Sequence, residues 1–313
     1  MTRSSAPEPS RDNDTADATA APHDTLPCVL SFNASDPTGA GGVVSDAMVI
    51  ASIGAHALPV ITGAYVRDTR EIMGHASLGD DAVAEQAGAV AEDIPLHAIK
   101  IGFAGSAEAV AAIAAFVSDY PAVPVVAYMP DLSWWSEDEI DNYLDAFREL
   151  LLPQTAVLVG NNTTLRHWLL PESTTDRRAR ATDLARAAGE LGVSYVLVTG
   201  IPAVGDQLGN VLAAAQGELF SQSYERIDAG FLGAGDILSA ALTALIATGS
   251  ELTEAVAEAL QYLDQALDHG FRPGMGRAVA DRLFWAESDD ADSADDDAPP
   301  SFDIPHPFNE TKH

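Results

Sequence analysis

The chain has 313 residues, 47% of them hydrophobic and 20% charged, with 47 acids against 16 lysines and arginines and a formal charge of −31. That composition can bury a large core, which excludes a globally disordered chain, and it lacks the basic footprint that nucleic-acid binding needs. No apolar run reaches the roughly 18 residues of a membrane helix, and the single cysteine, Cys28, rules out an intrachain disulfide and a cysteine-built zinc cage.

Residues 1–26 are rich in Ala, Asp, Ser and Pro and show no apolar signal segment, so they read as a disordered acidic tail on a cytoplasmic protein. Residues 287–313, with DDADSADDDAPP, read the same way. Between them, residues 27–286 read as one domain. Cys28–Phe32 is a short apolar run and Val43–Ser52 has helical spacing. Ala57–Ala64 is a second run, followed by an alanine-rich helix over Asp80–Ala91. Ala98–Phe103, Val123–Tyr128, Ala156–Val159 and Ser194–Thr199 read as strands. Ala107–Phe116, Glu137–Leu150 and Thr175–Leu191 read as the helices between them. Val211–Ala215 and Glu218–Ser221 suit a hairpin around Gly217, and Gly235–Ala247 and Leu252–Leu267 close with two helices. Short continuous apolar runs alternating with helices predict an α/β fold whose mostly parallel sheet is covered on both faces. Ligands of such sheets sit beyond the carboxyl ends of the strands.

Two segments stand there. Ser35-Asp36-Pro37-Thr38-Gly39-Ala40-Gly41-Gly42 follows the first strand and precedes a helix. Its glycines let a ligand approach the backbone, and the helix start offers free N–H groups. It fits neither G-x-G-x-x-G nor the G-x-x-x-x-G-K-[ST] phosphate loop, and taken alone it also suits a plain tight turn. Gly233-Ala234-Gly235-Asp236 opens another helix. Exposed amides beside a carboxylate base are what phosphoryl transfer to a hydroxyl requires, although aspartate is also favoured at ordinary helix starts. The eight histidines have no metal-binding spacing. Lys100, the one lysine inside the domain, lies in an apolar strand and points to a buried ion pair more than to catalysis. Trp134 and Trp135 suit a core or dimer contact, or a substrate lid. Cys28 suits a small buried apolar site.

Taken together, SDPTGAGGVVSDAMVIASIGAHALPVITGAYVRDT, HAIKIGF, LLPQTAVLVGNN and FLGAGDILSAALTAL make residues 28–286 resemble the hydroxymethylpyrimidine/phosphomethylpyrimidine kinases of the ribokinase-like superfamily. The closing FRPGMGRAVADRLFWA resembles a proteobacterial branch of that family. The resemblance implies a three-layer α/β/α sandwich and a homodimer. It also implies MgATP-dependent phosphorylation of a small-molecule pyrimidine, the hydroxymethyl compound or its monophosphate, in thiamine biosynthesis. Asp236 falls where the family carries its catalytic Asp or Cys, and Gly233, Ala234 and Gly235 fall at its anion hole. Asp36 and Gly41 lie in its substrate loop, Arg67 stands where a glutamine reads the ring, and Phe103 ends a substrate-facing strand. Asn161, Thr199 and Gly200 fall on the nucleotide side. The resemblance gives no residue as a metal ligand.

The chain also departs from that pattern. The family's TPNxxE reads Gly160-Asn161-Asn162-Thr163-Thr164, without the glutamate that helps to organise magnesium. Its KGG reads Thr199-Gly200-Ile201, without the lysine, and its VLDPVM becomes VAYMPD, with Tyr128 for the aspartate and an acid displaced to Asp131. Arg67 exchanges a neutral donor–acceptor for a donor-only cation. Two other readings stay open at this point: a pyridoxal-type kinase, and a pyrimidine-phosphate-binding regulator that kept the fold without efficient transfer.

Overall fold

The structure is a computed structural model that describes residues 26–170 and 179–286. Its organising element is a nine-stranded sheet. Six strands run parallel: β1 (Cys28–Ser35), β2 (His56–Arg67), β4 (Ala98–Ile101), β5 (Val125–Met129), β6 (Val157–Asn161) and β7 (Tyr195–Pro202). Antiparallel strands extend both ends, β3 (Ile72–Ser77) beside β2, and β8 (Gln207–Ala214) with β9 (Gly217–Glu225) beyond β7. The spatial order is β3-β2-β1-β4-β5-β6-β7-β8-β9. The direction of winding reverses between β1 and β4, so a crevice opens above the ends of these two neighbours.

The apolar runs are continuous because both faces of each central strand are covered. Leu30, Phe32, Ile99, Ile101, Val125 and Leu158 face one core. The helices α2 (Asp80–Ala91), α3 (Ala107–Ser118), α4 (Glu137–Ala146), α5 (Asn162–Leu169) and α6 (Ala181–Glu190) cover it. The alternate positions, such as Val29, Ala98, Val126 and Val159, face α1 (Gly42–Ile53), α7 (Ala234–Ala247) and α8 (Leu252–Asp268). A three-layer α/β/α architecture results, and none of the described helices is long and apolar enough to cross a membrane.

Several boundaries differ from the sequence reading. The helix expected to run to Leu150 stops at Ala146 and continues as one π-helical turn, Phe147–Leu151. The helix expected from Thr175 begins at Ala181, with 171–178 outside the described residues. The expected acidic tails also lie outside them, apart from Leu26. Among the elements not anticipated are β3, α5, and the short parallel pair β10 (Phe231–Leu232) and β11 (Ala278–Val279). This last pair ties the chain leading into α7 to the segment after α8. That segment reaches the β2–β3 turn, where Thr69 accepts from the Arg277 amide at 2.9 Å and from the Gly276 amide at 3.0 Å.

Candidate active site

A cavity of about 590 Å³ opens at the carboxyl ends of β2, β5, β6 and β7 and the loop that follows β1. The start of α7 forms its floor. The first intrahelical bond of α7 is Ile237 N to Gly233 O, so the amides of Ala234, Gly235 and Asp236 donate to no protein group among the described residues. Gly233 caps the helix at a φ of +73°, and a Cβ there would collide with the Ala40 carbonyl. The two glycine-rich segments therefore pack on each other, although almost two hundred residues separate them.

Asp236 is held from both sides. Its Oδ1 accepts from Asn33 Nδ2 at 2.8 Å and from Lys100 Nζ at 2.9 Å. Among the described residues, its Oδ2 accepts only from the Gly42 amide, at 3.1 Å. One carboxylate oxygen is thus committed to the protein, and the other keeps a lone pair on the cavity side. An ideal Cβ on Gly41 would lie 2.7 Å from that oxygen and 3.5 Å from Asp36 Oδ2, so only glycine fits between the two carboxylates.

Behind Asp236 sits a buried charge cluster. Lys100 binds both oxygens of Asp46, at 2.8 and 2.7 Å, and Ser31 and Asn33 also donate to Asp46. The side chains of Lys100 and Asp46 are 0% exposed, and that of Asp236 is 17% exposed. One cation serves two carboxylates, which leaves the cluster at −1. Burial, and then the Asp236 charge, push the Asp46 carboxyl up to about 6, with Lys100 pulling the other way. Burial also works to raise Asp236, but the Lys100 charge and the bonds from Lys100, Gly42 and Asn33 outweigh it, and the carboxyl is held below its ordinary range. Lys100 stays protonated because the Asp236 and Asp46 charges outweigh its own desolvation.

The far end of the cavity is aromatic and cationic. Tyr65 stacks on Phe103 with centroids 5.4 Å apart, and Trp134 meets the Tyr65 ring edge-on. Arg67 approaches Asp36 at 3.4 Å through Nη1, while its buried Nη2 has no partner among the described residues. Asp36 itself is spent on its own loop, bonding the Thr38 amide and hydroxyl and the Gly41 amide.

The structure thus brings Gly233, Ala234, Gly235, Asp236, Asp36, Gly41 and Arg67 to one cavity, which Asn161 and Thr199 also line. Two of the expected residues stand elsewhere. Phe103 is 2% exposed and lies one layer back, behind Tyr65. Gly200 lines a separate cavity of about 190 Å³ between β8 and α8, together with Asn210, Tyr224 and Asp264. Sequence reasoning did not single out Asn33 or Asp46, which stand behind Asp236, and named Tyr128 only as a departure at the family's aspartate position. The one available signal was a charged residue inside the otherwise apolar AIKI strand.

The sequence profile described as phosphomethylpyrimidine kinase matches residues 36–281, which is most of the chain. The chain belongs to the phosphomethylpyrimidine kinase family. A hydroxymethylpyrimidine/phosphomethylpyrimidine kinase of Streptomyces coelicolor is 28% identical over 265 residues, covering 84% of this chain and 96% of that protein. A thiamine biosynthesis bifunctional protein of Geobacter sulfurreducens is 28% identical over 261 residues, which cover 83% of this chain and 53% of the larger protein. Among solved structures, an ADP complex of Bacillus subtilis pyridoxal kinase superposes with a TM-score of 0.75 at 20% identity, covering 84% of this chain and 100% of that one. That likeness bears out the expected ribokinase-like fold and speaks to the fold alone. Tyr128, Gly160, Asn161 and Thr199, which belong to the segments where the sequence reading expects departures from the family pattern, all line the cavity.

Proposed function

We propose that the chain transfers the γ-phosphoryl group of ATP to a hydroxymethylpyrimidine or its monophosphate, a thiamine-precursor reaction, with Asp236 as the general base. The observation that carries this reading is the asymmetry of the Asp236 carboxylate: Oδ1 accepts from both Asn33 and Lys100, whereas Oδ2 has one donor among the described residues, the Gly42 amide, and lies beside Gly41 on the cavity wall. An acceptor hydroxyl there gives its proton to Oδ2 as its oxygen attacks phosphorus. The free amides of Ala234, Gly235 and Asp236 at the positive end of α7 hold the charge on the group in transit. A low-lying carboxyl pKa suits a base that must start ionised and accept the proton late. The Tyr65 and Trp134 rings offer a flat acceptor an apolar wall.

Magnesium fits this site as a partner of nucleotide phosphates. No cluster of three His, Cys, Asp or Glu side chains able to hold a metal occurs among the described residues. Asp131, in the loop after β5, is a carboxylate on the cavity wall, and Mg²⁺ is commonly held by one or two carboxylates plus phosphate oxygens. Bound there with ATP, it would neutralise phosphate charge. Asn161 and Thr199 lie on the same side and are the nucleotide contacts of this reading. A homodimer in the cytoplasm completes it.

Asp236→Asn tests the base. Turnover with MgATP should fall by roughly 10²–10⁴ while acceptor binding changes little. A folded variant working near the wild-type rate removes Asp236 from this role. The acceptor is read from a panel containing the pyrimidine alcohol, its monophosphate and pyridoxal, scored by product mass.

A further inference from the structure

Phosphoryl transfer puts negative charge beside the start of α7, and among the described residues no free side-chain cation lines the cavity there. Lys100 has three hydrogens and spends them on Asp46 Oδ1, Asp46 Oδ2 and Asp236 Oδ1. The other cations lining the cavity stand elsewhere. Arg67 is at the Asp36 end, and Arg277 lies in the segment packed on Thr69. Among the described residues, the protein's own donors at this end of the cavity are neutral ones.

One such donor has no task yet. Tyr128, next to the last residue of β5, lines the cavity with the α7 start. Its ring lies directly on Gly235, where a Cβ would collide with Cζ, Cε2 and the hydroxyl, so only glycine leaves room for it. The Tyr128 hydroxyl bonds to no protein group among the described residues. Burial, followed by the Asp236 and Asp131 charges, raises its pKa far above neutrality, so it stays protonated and available to donate. Preorganised donors of this kind, tyrosine hydroxyls included, stabilise developing oxyanions without reorganising during the reaction.

We propose that the Tyr128 hydroxyl is a further catalytic donor, hydrogen-bonding a non-bridging oxygen of the phosphoryl group in transit beside the amides of Ala234, Gly235 and Asp236. The inference rests on the reading of the cavity as a phosphoryl-transfer site. Tyr128 keeps its proton throughout. The bond that forms joins the acceptor oxygen to phosphorus, the bond that breaks joins phosphorus to the departing ADP oxygen, and the acceptor proton goes to Asp236 Oδ2.

The test uses the full chain and Tyr128→Phe, which keeps the ring and deletes one oxygen. Because that oxygen has no protein partner, the variant should melt close to wild type. Turnover should fall about 10- to 100-fold, less than the loss of a dominant oxyanion donor because three amides remain. The acceptor KM should stay within about threefold, and affinity for inorganic phosphate, followed by ³¹P resonance titration, should drop at least about fivefold. Wild-type turnover and phosphate affinity in Tyr128→Phe overturn the proposal. Tyr128→Ala covers the opposite case. If the ring merely plugged the helix start, removing it would raise turnover or phosphate affinity, and that result also overturns the assignment. A wild-type chain that phosphorylates no acceptor counts against the reading of the site, and the phosphate titration then still decides whether Tyr128 meets a phosphate.

Discussion

Replacing Lys100 by Met removes the cation that Asp46 and Asp236 share, and takes the buried cluster from −1 to −2 at neutral pH. Deleting one partner of a buried ion pair costs about 3–5 kcal/mol. Protonation limits the cost here, and so makes it depend on pH. Asp46 already titrates near 6, above its ordinary 3.8. A carboxyl raised in the folded state binds more protons folded than unfolded, so stability falls as pH climbs from the unfolded value to the folded one. In the wild type that window is about 3.8 to 6 for Asp46. Asp236, held low, works the other way. Its stabilisation is present above the unfolded value and is lost as pH drops through the folded value. Without Lys100 both carboxyls rise, the two trends align, and the window extends beyond 6. Urea denaturation should find Lys100→Met about 3–5 kcal/mol less stable near pH 8, with the deficit shrinking by up to about 1.4 kcal/mol per pH unit inside the window. Adding Asp46→Asn should recover part of the loss, a coupling that independent sites would not show. A deficit that is flat with pH, or below about 1 kcal/mol throughout, would refute the shared-cation account.

Gly41→Ala separates space from backbone conformation. The φ of Gly41, −135°, suits any residue, but the added methyl would sit 2.7 Å from Asp236 Oδ2. Turnover should fall about 10²-fold as the base is displaced, with a melting temperature shifted only slightly; unchanged steady-state kinetics would show that the loop gives way instead. Tyr143→Phe probes the core behind the aromatic wall. The fully buried Tyr143 hydroxyl accepts from the Ala104 amide at 3.1 Å, and losing it should cost about 1–3 kcal/mol in denaturant titration with turnover little changed.

The central strands were legible because the parallel sheet buries both of their faces, so Cys28–Phe32 and Val123–Tyr128 stand out as unbroken apolar runs. Strand β3 was not. Its residues, IMGHAS, are half-buried to exposed, and pairing with β2 defines it more than any apolar run does. Helix α5 buries only Leu165 and Trp168, too little periodicity to register against the motif around Asn161. The α7 start and the 35–42 loop were legible from glycine spacing. What they meet was not, since Asn33, Asp46 and Lys100 reach Asp236 only through the β1–β4 neighbourhood and the crossing of α1 and α7. The displacement of Phe103 behind Tyr65 likewise depends on how the aromatic side chains stack.

The bonds that finish the base join residues 203 and 194 positions apart, Asn33 with Asp236 and Gly42 with Asp236. Lys100 and Asp46, 54 positions apart, balance each other without any help from the last third of the chain. During synthesis an electrically neutral pair can therefore close first, and the unmatched charge arrives last, carried in by α7. Contacts this distant in sequence form slowly. Catalytic competence should accordingly lag behind compaction when the denatured protein refolds, and the delay marks the moment a surplus carboxylate is forced out of water.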